Sequence, residues 1–132
     1  MSNTITMHKL DSDAMWKDAQ DIANSVYETF SNLEDDDKML LRYRFYNRAF
    51  DLTHDIAESA GSILSKDNEF SLAQARRSLF GIKNAYKYIA GQSPELIEPE
   101  TMLKIDKLTD MIDTKIKEVW NEIADSVKGD KA

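Results

Sequence analysis

Helix breakers are nearly absent from this chain, and their positions set how it can fold. Of 132 residues only four are glycine and two are proline, and both prolines fall between Gln92 and Pro99. Long uninterrupted stretches with few breakers read as helices joined by short connectors. The spacing of apolar residues agrees. Met15, Ala19, Ile22, Val26, Phe30 and Leu33 step by fours and threes, which predicts a first helix from about Ser12 to Asn32. Trp16, Ala23 and Tyr27 widen that stripe, and Asp11, Ser12 and Asp13 offer N-cap oxygens.

An acidic start, Glu34 to Asp37, predicts a second helix reaching about Ser65, or about 45 Å at 1.5 Å per residue. It carries two apolar stripes. One is Phe45, Ala49, Leu52, Ile56, Ala60 and Ile63; the other is Tyr43, Tyr46, Phe50, Thr53, Ala57 and Leu64. One bundle seam cannot cover both, so Tyr43, Tyr46 and Phe50 are expected at an interface between copies of the chain. After the polar break Lys66-Asp67-Asn68, with Asn68 as cap, a third helix is expected from about Glu69 to Ala90. Its seam is Leu72, Ala75, Leu79, Ile82, Tyr86 and Ile89, with Gly91 just past its end. Pro99, after Glu98 as cap, suits the first residue of a fourth helix. Ile105, Leu108, Ile112, Ile116, Val119, Ile123 and Val127 form its seam, and Gly129 marks its end. The expected architecture is all-α, an antiparallel up-down four-helix bundle over residues 12–128, with tails at 1–11 and 129–132.

With no cysteine, disulfides, thiolate nucleophiles and Cys-based zinc sites are excluded. No run approaches the 18 or so apolar residues of a membrane span, and Met1 to Leu10 lacks a signal-peptide core, so a cytoplasmic protein without membrane contact is expected. Gly61, Gly81, Gly91 and Gly129 are isolated, so there is no Gly-rich phosphate loop, and no cofactor is expected.

The net charge of −7 opposes indiscriminate nucleic-acid binding, yet the charge is uneven. Residues 1–35 carry −5, 36–69 carry −2 and 94–132 carry −4, whereas Phe70 to Ser93 holds Arg76, Arg77, Lys83 and Lys87 with no acid, +4. At about 100° per residue, Arg76, Lys83 and Lys87 lie within about 40° of one another. All five arginines, Arg42, Arg44, Arg48, Arg76 and Arg77, sit on the second and third helices. A surface formed by those two helices would therefore present Arg42, Arg44, Arg48, Arg76, Arg77, Lys83 and Lys87 to RNA or DNA phosphates. The competing expectation is that the stripe pairs with acids of the same bundle.

Candidates for catalysis are thinner. Asp51, Asp55 and Glu58 share one face of the second helix at magnesium-holding spacing, and Asp110 and Asp113 on the fourth could complete a phosphohydrolase site. Asp51-x-x-His54 faintly resembles the Glu-x-x-His of di-iron bundles, but those need two such motifs and two further carboxylates, and His8 is the only other histidine. No metal site and no enzyme activity are expected.

Two segments carry a family resemblance. Met15-Trp16-Lys17-Asp18-Ala19-Gln20-Asp21-Ile22-Ala23-Asn24-Ser25-Val26-Tyr27 resembles the opening helix of the four-helix-bundle proteins encoded in intervening sequences of 23S rRNA genes. Asp55-Ile56-Ala57-Glu58 is similar to that family's Asn-Ile-Ala-Glu, and Glu69-Phe70, Ala75 and Ser78 resemble its third helix. Ser59 stands where the family has glycine. The superfamily also includes the accessory variability determinants of diversity-generating retroelements, homopentameric barrels that bind nucleic acid and a reverse transcriptase. The resemblance implies a non-enzymatic bundle that self-associates, as a pentamer in that precedent, with RNA, DNA or a protein as partner. It also implies a structural role for Glu58, such as accepting a buried or inter-subunit hydrogen bond from an arginine.

Overall fold

The computed structural model describes the backbone of residues 3–31, 39–61 and 65–131, and the side chains of 14–31, 42–59 and 69–127. It holds four helices and, among the described residues, no strand. They are α1 (Asn3–Ser31), α2 (Met39–Gly61), α3 (Ser65–Gln92) and α4 (Pro99–Lys131), with a single 3₁₀ turn at Pro94–Leu96.

Several boundaries move from their expected places, each for a local reason. α1 starts at Asn3 and not at Ser12, because residues 3–10 contain no breaker; Asp11, Ser12 and Asp13 lie inside the helix and do not cap it. α2 is described to Gly61 and α3 from Ser65, so Lys66-Asp67-Asn68, expected as the polar break, belongs to α3. α3 continues through Gly91 to Gln92, and the Ser93 N–H donates to the Ile89 carbonyl at 2.6 Å. Gly91 is not the left-handed cap expected of it: among the described residues no glycine has positive φ. Pro99 does open α4, where the Thr101 N–H donates to the Glu98 carbonyl at 3.0 Å. α4 runs past Gly129 to Lys131. The acidic lead-in Glu34 to Asp37, Leu33 and Leu64 lie outside the described residues.

Each helix packs on the next and α4 returns to α1; the α2–α3 seam is the most extensive and the α1–α4 seam the narrowest. The expected seams supply the core. Ala19, Ile22, Val26 and Phe30 of α1 are fully buried, as are Ala49, Leu52 and Ile56 of α2 and Ile105, Leu108 and Ile112 of α4. In α3, Leu72, Ala75, Leu79, Ile82, Tyr86 and Ile89 are all buried. Burying each such aliphatic side chain contributes about 1.5–3 kcal/mol. Phe30 anchors one end, stacked on Phe45 at 4.9 Å and tilted against Tyr86 at 6.1 Å between ring centroids. α4 outruns this cover: Ile116 and Ile123 are half-buried, and Trp120 and Val127 are exposed.

Candidate functional site

The seven candidate cations separate into three groups. Arg76 and Lys83 turn toward α4, where Arg76 Nε donates to Asp113 Oδ1 and Lys83 Nζ to Asp106 Oδ1, each at 2.6 Å. These two are partnered inside the chain and are not free for phosphate. Arg42 is half-buried, and its Nε is sealed from solvent with no hydrogen-bond partner among the described residues. Arg44, Arg48, Arg77 and Lys87 are exposed, with no acidic partner among the described residues. Arg48 reaches across to α3, where Gly81 makes room for it. A Cβ at Gly81 would lie 2.7 Å from Arg48 Nη1 and 2.8 Å from its Cδ and Cζ. Arg44 lies one turn before Arg48 and Arg77 one turn before Gly81, so Arg44, Arg48 and Arg77 follow the outer side of the α2–α3 seam. Lys87 stands about 80° away from Arg77 around α3, on the α4 side of that surface.

The acids of α2 continue the same stripe, so its charge changes sign along the helix: Arg44 and Arg48, then Asp51, Asp55 and Glu58. His54 bridges two of them, with Nδ1 3.7 Å from Asp55 Oδ1 and Nε2 3.6 Å from Glu58 Oε1. Within the chain Glu58 has His54 beside it. Burial pushes the Asp55 carboxyl above its usual value; His54 opposes this, while Asp51 and Glu58 add to it. A magnesium site would need a further carboxylate to converge here. Asp113 is held by Arg76 across the α3–α4 seam, and Asp110 lines a groove between α1 and α4. Among the described residues no three His, Asp or Glu side chains are placed to hold a metal ion. The side chain of His8 lies outside the described residues.

The expected interface residues divide as well. Tyr43 is 65% exposed and Phe50 61%, Phe50 lying stacked on His54 at 6.1 Å. Tyr46 belongs inside the chain. Its ring meets Tyr27 edge-on at 5.1 Å, and its hydroxyl donates to the Tyr27 carbonyl at 3.4 Å. Trp16 and Tyr27 of α1, which widen the apolar stripe in the sequence, are 36% and 38% exposed, and Tyr27 meets α2 through Tyr46. Each lies about 40° or more around α1 from the nearest fully buried position, and that offset was the signal available in the sequence.

The α1–α4 seam is polar. Lys104 Nζ donates to Asp21 Oδ2 at 3.2 Å, and Thr101 Oγ1 donates to Ser25 Oγ at 3.2 Å. Lys107 Nζ lies 3.4 Å from the buried Asp18 Oδ2, an ion pair in which that oxygen receives no hydrogen bond. Beside it opens a groove of about 480 Å³ lined by Met15, Lys107, Asp110, Met111 and Lys115, among others. Among the described residues no helix is long and apolar enough to cross a membrane. In comparisons with known proteins, no family model, no curated protein and no solved structure matches this chain.

Proposed function

We propose that this chain is a non-enzymatic, self-associating four-helix bundle that binds RNA or DNA through the basic part of its α2–α3 surface. Four cations, Arg44, Arg48, Arg77 and Lys87, stand exposed without acidic partners among the described residues, and this observation carries the proposal. Asp113 and Asp106 of α4 are engaged by Arg76 and Lys83. The resemblance of Met15 to Leu79 to the rRNA intervening-sequence bundles supports the same function.

The helices alternate up and down in this proposal. Two ladders of ion pairs support that arrangement: Arg76–Asp113 with Lys83–Asp106, and Asp18–Lys107 with Asp21–Lys104. In both, numbers rise on one helix as they fall on its neighbour, as antiparallel packing requires.

Electrophoretic titration at low salt with structured and single-stranded RNA and DNA tests the proposal. A shift is expected with the native chain, lost on Arg48→Glu with Arg77→Glu and retained on Arg76→Ala with Lys83→Ala. No shift at all, or one indifferent to the first pair, would sink it.

A further inference from the structure

We infer that the outer face shared by α1 and α2 is the site at which a second copy of this chain docks, face to identical face. The inference rests on the self-association proposed above and supplies its surface and partner; it does not depend on nucleic acid. On α1, Trp16, Gln20, Asn24 and Tyr27 fall within about 80° of one another around the helix. On α2, Tyr43, Asn47, Phe50 and His54 fall within about 60°. The Tyr27–Tyr46 ring contact joins the two stripes into one surface.

Two properties of this face point to its partner. The first is its composition. Charged residues make up 31% of the chain, yet among the described residues these stripes hold no Asp, Glu, Lys or Arg, and His54 is their one imidazole. Lys17, Glu28 and Glu58 stand at the rim. Exposed aromatic rings with charge pushed to the edge are the pattern of a protein contact. The second is self-complementarity. A chain of net charge −7 repels its own copies, and an uncharged face is where that repulsion is least. Across a two-fold axis a group can face its own duplicate, which a carboxylate or an ammonium tolerates badly. The amides of Gln20, Asn24 and Asn47 and the hydroxyl of Tyr43 each donate and accept, so each can bond to its counterpart.

The area is adequate for reversible pairing. A face about 24 Å long and about 20 Å wide gives a footprint of about 500 Å² per copy and about 1,000 Å² in all, at the lower bound for specific contacts. The dimer is therefore concentration-dependent, and it leaves the α2–α3 cations uncovered for nucleic acid.

Light scattering and sedimentation of the full chain, from micromolar to hundreds of micromolar, test the inference. The mass is expected to rise from 15.1 kDa toward twice that value. Tyr43→Lys with Phe50→Lys, both at exposed positions, should weaken pairing at least about 100-fold while helical circular dichroism is retained. Raising salt from about 0.05 to about 0.5 M should leave pairing intact while abolishing any nucleic-acid shift, which separates failure of this inference from failure of the nucleic-acid proposal. A chain monomeric throughout, a five-chain mass, or a dimer that survives both lysines would overturn it.

Discussion

The α1–α2 and α3–α4 sides of the bundle both expose large apolar side chains, Phe80, Leu103 and Trp120 among those of α3 and α4, but among the described residues only the α3–α4 side is crossed by ion pairs from helix to helix. On α3–α4 the surface is tied down by Arg76–Asp113 and Lys83–Asp106, charges that water and each other already satisfy. On α1–α2, Trp16, Tyr27, Tyr43 and Phe50 face water without an ion pair among them. A surface of paired charges is at rest when the chain is alone, whereas one of half-covered rings gains free energy only when something covers it. The contrast separates a side whose helices are tied together by charge from one whose helices meet through stacked and edge-on rings.

The largest test of that contrast compares two phenylalanines on the aromatic side. Phe30→Ala, which empties a fully buried site, should cost about 3–5 kcal/mol, whereas Phe50→Ala should cost under about 0.5 kcal/mol and act on association alone. Urea midpoints at low protein concentration measure both, and similar losses would erase the distinction between inner and outer rings.

Next in size is a pH effect from the core that both sides share. Burial pushes the Tyr86 phenol up to about 12, with Thr29 opposing and Glu98 and Glu28 adding to the rise. The unfolded chain then loses this proton at a lower pH than the folded one. Stability is accordingly whole below pH 10 and falls by about 2–3 kcal/mol as pH climbs through about 12. Thr29 lies near the Tyr86 hydroxyl, but among the described residues no hydrogen bond of good geometry reaches it, so Tyr86→Phe should be nearly neutral near pH 7 and should remove this part of the alkaline loss. Unfolding midpoints measured against pH for both chains decide it.

Smaller is Gly81→Ala. Helix propensity favours alanine by about 1 kcal/mol, and the new Cβ meets only the flexible end of Arg48, which can swing out. A gain of about 0.5 kcal/mol is expected, together with a weaker electrophoretic shift because Arg48 leaves its seat on α3. Of similar size, and the smallest once salt is added, is the effect on the paired side: Arg76→Ala and Lys83→Ala should each cost about 0.2–1 kcal/mol at low salt, fading at high salt. A larger, salt-insensitive loss would mean that the ion pairs hold more of the fold than half-exposed pairs do.

Much of this was legible beforehand, because helical periodicity is a property of each helix alone. Leu72, Ala75, Leu79, Ile82, Tyr86 and Ile89 form one stripe in the sequence and one buried row in the fold. Pairing between helices is not local, and there the sequence was mute. Arg76 and Lys83 looked like members of one cationic stripe with Lys87 until Asp113 and Asp106, about 37 and 23 residues on, were brought beside them. Trp16 and Tyr27 looked like core because their offset from the seam is small, and only the position of α2 decides which edge of a stripe is covered. The start of α1 was missed for another reason: Asp11, Ser12 and Asp13 are good caps, but a cap ends a helix only where the residues before it leave helical geometry.

The narrow α1–α4 seam has a consequence for the order in which the bundle assembles. Its bonds join residues 76 and 83 positions apart, Ser25 with Thr101 and Asp21 with Lys104, while α2 and α3 are neighbours along the chain. Loop closure grows costlier with length, so a hairpin of α2 and α3 is the natural nucleus, and the ring closes last, along its most polar edge. Substitutions at Asp21 or Lys104 should then speed unfolding while leaving the folding rate nearly unchanged.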